Sequence, residues 1–220
     1  MCGIFLYLFH VLEQCNVSHT FIPPLPLSPP LSCSETNGAA VVTDDVTHKK
    51  YFFSNDKGRA SAIILDAKLT VGMPLYPTAS CGMDVLAHAL EAFTSNRTNS
   101  FSDAVAYQAI REVAVWLPAV MKNPKDIEAR GHMQMASYMA AMAFDSAQLG
   151  LMHATGHQLT ALYGAPHGQT LATVMPHVME FNIQGGGKSV AKYAQVAQAF
   201  GVFDPNRSQV DNARRAIGAV

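Results

Sequence analysis

Two stretches of this chain set metal-ligand side chains one helical turn apart. Asp84 and His88 lie in "GMDVLAHALEAF"; His153 and His157 lie in "GLMHATGHQLTALYGAPHGQTLA", with His167 following a Gly-Ala-Pro break. Four-residue spacing inside an apolar helical pattern puts both members of each pair on one face. Asp84, His88, His153 and His167 together offer one carboxylate and three imidazoles, a donor set suited to a divalent ion. Each has a plainer reading when taken singly. Asp84 with His88 could be a buried hydrogen-bonded pair, His153 with His157 an ordinary helix-face pair, and His167 a turn residue or cap. Burying all four in apolar surroundings without a shared ion would be costly, and that favours the metal. "HATGH" lacks the glutamate of H-E-x-x-H, so no general base is supplied and a metal hydrolase is disfavoured. Glu91, one turn beyond His88, either stands behind the ligands or faces solvent, and solvent is the expectation.

The elements that carry these residues follow from pattern. From Gly38, "GAAVVTDD", "KKYFFSND" and "SAIILDA" are short β-branched or aromatic runs between turn formers, predicting three strands. After "GMPLYP" the period turns helical. It predicts helices near 78–95, 102–122, 125–147, 149–163, 168–182, 188–200 and 207–219. Ser102 and Asn123 are the expected starts of the second and third. The last helix is expected to run into the C-terminus with no cap and no partner after it. Eleven methionines suit an adaptable helix-rich core.

Composition excludes several classes. A length of 220 residues allows one large domain or two small ones with a real core. The net charge of -1 makes no electrostatic case for nucleic acid or an acidic membrane surface. Cys2, Cys15, Cys33 and Cys81 are scattered without a C-x-x-C pair, which fits a reduced, cytoplasmic setting. "CGIFLYLFHVL" is too short to cross a bilayer and lacks the basic region and cleavage site of a secretory signal, so no membrane association is expected. "FIPPLPLSPP" is too rich in proline for a helix or an inner strand.

"DAKLTVGMP", "GMDVLAHALEAF", "NSFSDAVAYQAIREVAVWLP" and "MAFDSAQLGLMHATGHQLTALYGAPHGQTLATVMPHVMEFN" resemble the iron-containing, group III alcohol dehydrogenases. The likeness runs from about Glu35 to Asn182 and continues more loosely. It implies a mostly α chain: the helical metal-binding domain of the dehydroquinate synthase-like fold, preceded by a short β-rich remnant of the nucleotide-binding domain. Residues 1–34 would then be irregular or foreign to the domain, 35–74 the remnant, and 75–220 the helical domain, incomplete at its C-terminus. The family's metal ligands fall on Asp84, His88, His153 and His167. His157 falls on a histidine close to substrate and nicotinamide, and Ser28, Ser32, Lys50 and Ala67 fall on cofactor-side positions. Lys50 could equally be a solvated strand lysine, and Ala67 plain core.

The activity so implied interconverts a small or primary alcohol and its aldehyde or ketone by hydride transfer to NAD(P). Fe2+, or Zn2+ or another divalent ion, would act as Lewis acid on the alcohol oxygen, with His157 as proton carrier. A homodimer is also implied. Leu31 and Cys33 fall on glycine positions of a cofactor loop, where side chains crowd close backbone approach. No stretch matches the family's Gly-rich pyrophosphate loop, so this chain is expected to bind metal yet turn over little alcohol. The competing reading, from another class, is a non-catalytic helical metal-binding remnant or assembly partner.

Overall fold

The computed structural model describes residues 39–44, 47, 50–54 and 63–220. The expectations for residues 1–34, Ser28 and Ser32 among them, lie outside the described residues. Strand β1 (Ala39–Thr43) pairs antiparallel with β2 (Lys50–Ser54), Ala39 opposite Ser54 and Thr43 opposite Lys50. The third predicted strand is not found over its described part. Residues 63–66 have no regular structure, and Ala67–Thr70 form a 3-10 turn. The cause is local: the Asp66 carboxylate accepts the Lys68 N–H at 2.9 Å and Thr70 Oγ1 donates to Ala67 O at 2.8 Å. Such side-chain bonds pull a backbone out of a ladder and into a turn.

Seven α-helices follow among the described residues: α1 (Leu75–Thr94), α2 (Ser100–Lys122), α3 (Ile127–Ala147), α4 (Leu151–Tyr163), α5 (His167–Gln184), α6 (Lys188–Ala199) and α7 (Gln209–Ile217). The predicted helices are all present, within a few residues at each end. Helix α1 is the central rod, touched by each of α2 to α6. Every residue from Asp84 to Phe93 is buried, so this helix has no solvent face over that length.

The helix starts differ from expectation in instructive ways. Asn99, not Ser102, caps α2, accepting from the N–H groups of Phe101 and Ser102 at 3.0 Å each. Ser102 Oγ accepts the Asn99 N–H in return at 2.9 Å, so the serine is the inner half of a capping box. Asp126, not Asn123, caps α3 by accepting the Ala129 N–H at 3.0 Å. Ser208 caps α7, accepting the Asp211 N–H at 3.1 Å, and α7 packs along α6, the element before it.

The far end of α1 is closed by Lys192 of α6. Its ammonium donates to Phe93 O at 2.5 Å, Thr98 Oγ1 at 3.2 Å and Asp103 Oδ1 at 2.7 Å, and lies over the Phe93 ring. Among the described residues no helix is long and apolar enough to cross a membrane.

Candidate metal centre

Helix α1 supplies Asp84 and His88 and α4 supplies His153. One donor atom from each lies within 4.8 Å of the other two, and all three residues are buried. Asp84 Oδ1 is the hub, 3.4 Å from His88 Nδ1, 3.5 Å from His153 Nε2 and 3.6 Å from His167 Nε2. Two donors each about 2.1 Å from a shared ion stand no more than about 4.2 Å apart, and the three separations from Asp84 Oδ1 meet that limit. Asp84 Oδ1, His88 Nδ1 and His153 Nε2 are buried and lack a hydrogen-bond partner. Orphaned buried polar atoms of this kind are rare and costly in proteins, and three gathered this closely fit a cation.

His167, the first residue of α5, borders the cluster without joining the tightest group. Its Nε2 reaches Asp84, but the side chain keeps 29% exposure. A close helix contact holds it there. A Cβ added at Gly168 would lie 1.9 Å from the Ser80 carbonyl oxygen, so only glycine lets α5 approach α1 this closely. His157 stacks against His167 with ring centroids 5.1 Å apart and meets His153 edge-on at 5.7 Å. It therefore lies beside the donors.

The two described cofactor-side candidates divide. Lys50 opens β2, which meets α4, and its charge is felt at Asp84, His157 and His167. Ala67 opens the 3-10 turn, and its Cβ faces Gly131 of α3.

Glu91 corrects an expectation. It is 5% exposed, not solvent-facing. One carboxylate oxygen lies 2.6 Å from His153 Nδ1 and the other accepts the Met152 N–H at 2.5 Å. The face that carries Glu91 is covered by α4 and the turn before it. The spacing carried the signal: 84, 88 and 91 advance by four and three and so share one face.

Burial and mutual charge set the electrostatics. Burial alone would raise the Asp84 pKa, but His88, His153 and His167 outweigh it and hold the carboxyl below its ordinary value. Burial pushes His88 down to about 4 against the pull of Asp84. Burial also lowers His157 to about 4, helped by His167, His153 and Lys50. Burial works in the same direction on His153, yet the carboxylates of Asp84 and Glu91 prevail and hold it up at about 9.

Residues 78–220 match the profile of the C-terminal part of the Fe-containing alcohol dehydrogenase family. The chain belongs to the iron-containing alcohol dehydrogenases. It is 37% identical over 202 residues to a 1,3-propanediol dehydrogenase of Klebsiella pneumoniae, covering 89% of this chain and 51% of that protein. It is 36% identical over 187 residues to an NAD-dependent methanol dehydrogenase of Bacillus methanolicus, covering 85% and 48%. The solved structure of a 1,3-propanediol oxidoreductase superposes with a TM-score of 0.80 at 37% identity, covering 85% of this chain and 48% of that one. An alcohol dehydrogenase from Oenococcus oeni gives a TM-score of 0.82 at 30% identity, covering 91% and 53%. This iron-containing alcohol dehydrogenase chain thus spans about half the length of the curated relatives it matches. Its cluster of one carboxylate and neighbouring imidazoles suits Fe2+ or Zn2+ by donor chemistry.

Proposed function

We propose that this chain forms the metal-binding part of an enzyme interconverting a small alcohol with its aldehyde or ketone. The observation that carries the proposal is the convergence of Asp84 Oδ1, His88 Nδ1 and His153 Nε2, buried and without partners, with His167 beside them. These four residues would hold a divalent ion, iron by family. When bound, the ion supplies Lewis-acid polarisation of the alcohol oxygen, and a nicotinamide cofactor accepts the hydride.

The chain's own residues do the rest. Asp84 contributes the negative charge of the donor set, which offsets the charge of a divalent ion. His157, kept neutral at ordinary pH by burial, is free to take the alcohol proton and pass it outward. Lys50 sets a positive charge on the strand side of the cluster, where an anionic cofactor group would be favoured. Ala67 and Ser28 and Ser32 stay in the proposal as cofactor-side residues through family likeness alone. We place the boundary between the β-rich and helical parts at Pro74, which precedes α1. A cytoplasmic setting, a homodimer and no nucleic-acid partner complete the reading, supported by scattered cysteines, family likeness and near-zero net charge.

The test is to load the purified chain anaerobically with Fe2+, measure bound metal, and follow NADH formation with short alcohols and diols. Tight binding of one ion, lost in His153→Ala, supports the centre. A chain that takes up no divalent ion would overturn it. Binding with little turnover is the result expected of the 220-residue chain itself. Positioning of the nicotinamide within roughly 3–3.5 Å of the reacting carbon is a large share of such a rate. Turnover at an ordinary enzyme rate would show that the cofactor is held by residues not identified above.

A further inference from the structure

We infer that Glu91 is a positioning residue of the metal centre. Its carboxylate takes the Nδ1–H of His153 and so presents Nε2 of that ring, bare of a proton, to the ion. The inference rests on the reading of Asp84, His88, His153 and His167 as metal ligands and goes beyond it, because Glu91 touches no ion.

The geometry divides the two faces of the His153 ring. Nδ1 lies 2.6 Å from Glu91 Oε2, while Nε2 lies 3.5 Å from Asp84 Oδ1, too long for a good hydrogen bond, and is otherwise unpartnered. A neutral imidazole carries one proton, and it resides on the nitrogen that faces the nearer acceptor. With Nδ1–H fixed on Glu91, Nε2 is the nitrogen left for an ion, and it faces the hub oxygen. The carboxylate is itself held. Its second oxygen accepts the Met152 N–H in the first turn of α4, where helix geometry favours a negative charge. The turn before α4 fits tightly around it: a Cβ at Gly150 would come within 3.1 Å of Glu91 Oε1. Rotation of the carboxylate is therefore restricted on two sides. Glu91 rides on the same helix as Asp84 and His88, so α1 provides two donors and also sets the tautomer of a third.

A merely structural role can be separated from this one. In Glu91→Gln the amide oxygen can still accept the Met152 N–H, which preserves the start of α4. The amide NH2 then meets His153 Nδ1, donor against donor. The ring escapes the clash by moving its proton to Nε2, where it blocks the lone pair needed for an ion. Loss of such an outer partner characteristically weakens metal binding by about 10–100-fold.

Two measurements test this on the full 220-residue chain. With Zn2+ as the probe and 15N-labelled histidine, long-range 15N–1H spectra are expected to show His153 bound through Nε2 and carrying a slowly exchanging proton on Nδ1. Binding through Nδ1, or an Nδ1 proton in rapid exchange with water, would overturn the inference. With Co2+ as the probe, Glu91→Gln is expected to keep its far-ultraviolet dichroism, bind about 10–100-fold more weakly and shift the visible absorption bands of the bound ion. A folded Glu91→Gln chain that binds as tightly as the parent, with the same bands, leaves Glu91 a packing residue only. If Glu91→Gln does not fold, the spectrum of the unsubstituted Zn2+ form decides alone. A parent chain that takes up neither ion removes the centre itself, an outcome distinct from a parent that binds and a variant that is unchanged.

Discussion

Gly168 and three histidines show how much of the centre depends on single atoms. The missing Cβ of Gly168 lets α5 lie against the Ser80 carbonyl, and His167 precedes it directly. Gly168→Ala should destabilise the chain by about 1–3 kcal/mol, read as a lower urea midpoint, and should weaken metal binding by pushing His167 outward. An unchanged midpoint would mean that α1 and α5 can separate at little expense. The histidines titrate in opposite directions in the metal-free chain. His88 and His157 are held near 4, so between about pH 6.5 and 4 the unfolded chain binds protons that the folded chain refuses. Stability contributed by these two is present above about pH 6.5 and is lost as pH falls. His153, held at about 9, contributes fully below about pH 6.5 and loses its contribution as pH rises through 9. With chelator present, the melting temperature should peak near neutrality and fall on both sides; a monotonic profile would contradict these assignments. Asp84, His88 and His153 were legible because four-residue spacing fixes a helical face. Glu91 was misjudged because spacing gives a face but not what covers it, and here the cover comes from α4, some sixty residues away.

At the scale of the elements, the helices were legible and their edges less so. Periodicity over twenty residues is a strong signal, whereas a cap depends on which of several polar residues reaches the free N–H groups. Asn99 and Ser102 both carry capping side chains, and only their reciprocal bonding shows which is outermost. Asn99→Ala should cost about 1 kcal/mol of stability in urea unfolding, and Ser102→Ala should also be felt because it removes the other half of the box. Over its described part the third strand is absent for a related reason: "SAIILDA" has strand-like residues, but Asp66 captures the Lys68 N–H and bends the chain. Lys192 belongs to the same scale. Its ammonium satisfies the end of α1, the loop at Thr98 and the first turn of α2 together, and nothing in the sequence links position 192 with Phe93. Lys192→Met should lower stability by about 1–3 kcal/mol, because it leaves the Phe93 carbonyl and Asp103 without their cationic donor. An unaltered melting temperature would show that water replaces the ammonium freely.

For the molecule as a whole, an ion that binds only the folded chain adds stability through mass action. At free metal near one hundred times its dissociation constant the gain is about 2.7 kcal/mol, so chelation should lower the melting temperature in proportion. His153→Ala should melt at one temperature with and without metal. That contrast separates binding at the proposed centre from binding elsewhere. The arrangement of α1 extends this to time. Every amide from Asp84 to Phe93 lies in a helix enclosed by five others, and Asp84, His88 and Glu91 all project from it. Deuterium can reach such amides only through openings that dismantle the helical body, so their exchange should be the slowest in the chain and should accelerate with urea along the slope of global unfolding. The scaffold of the ligands and the last region to lose its protons are then one object. A core substitution outside the ligand set, at Met133 or Val113 for instance, should quicken exchange at His88 without altering a ligand.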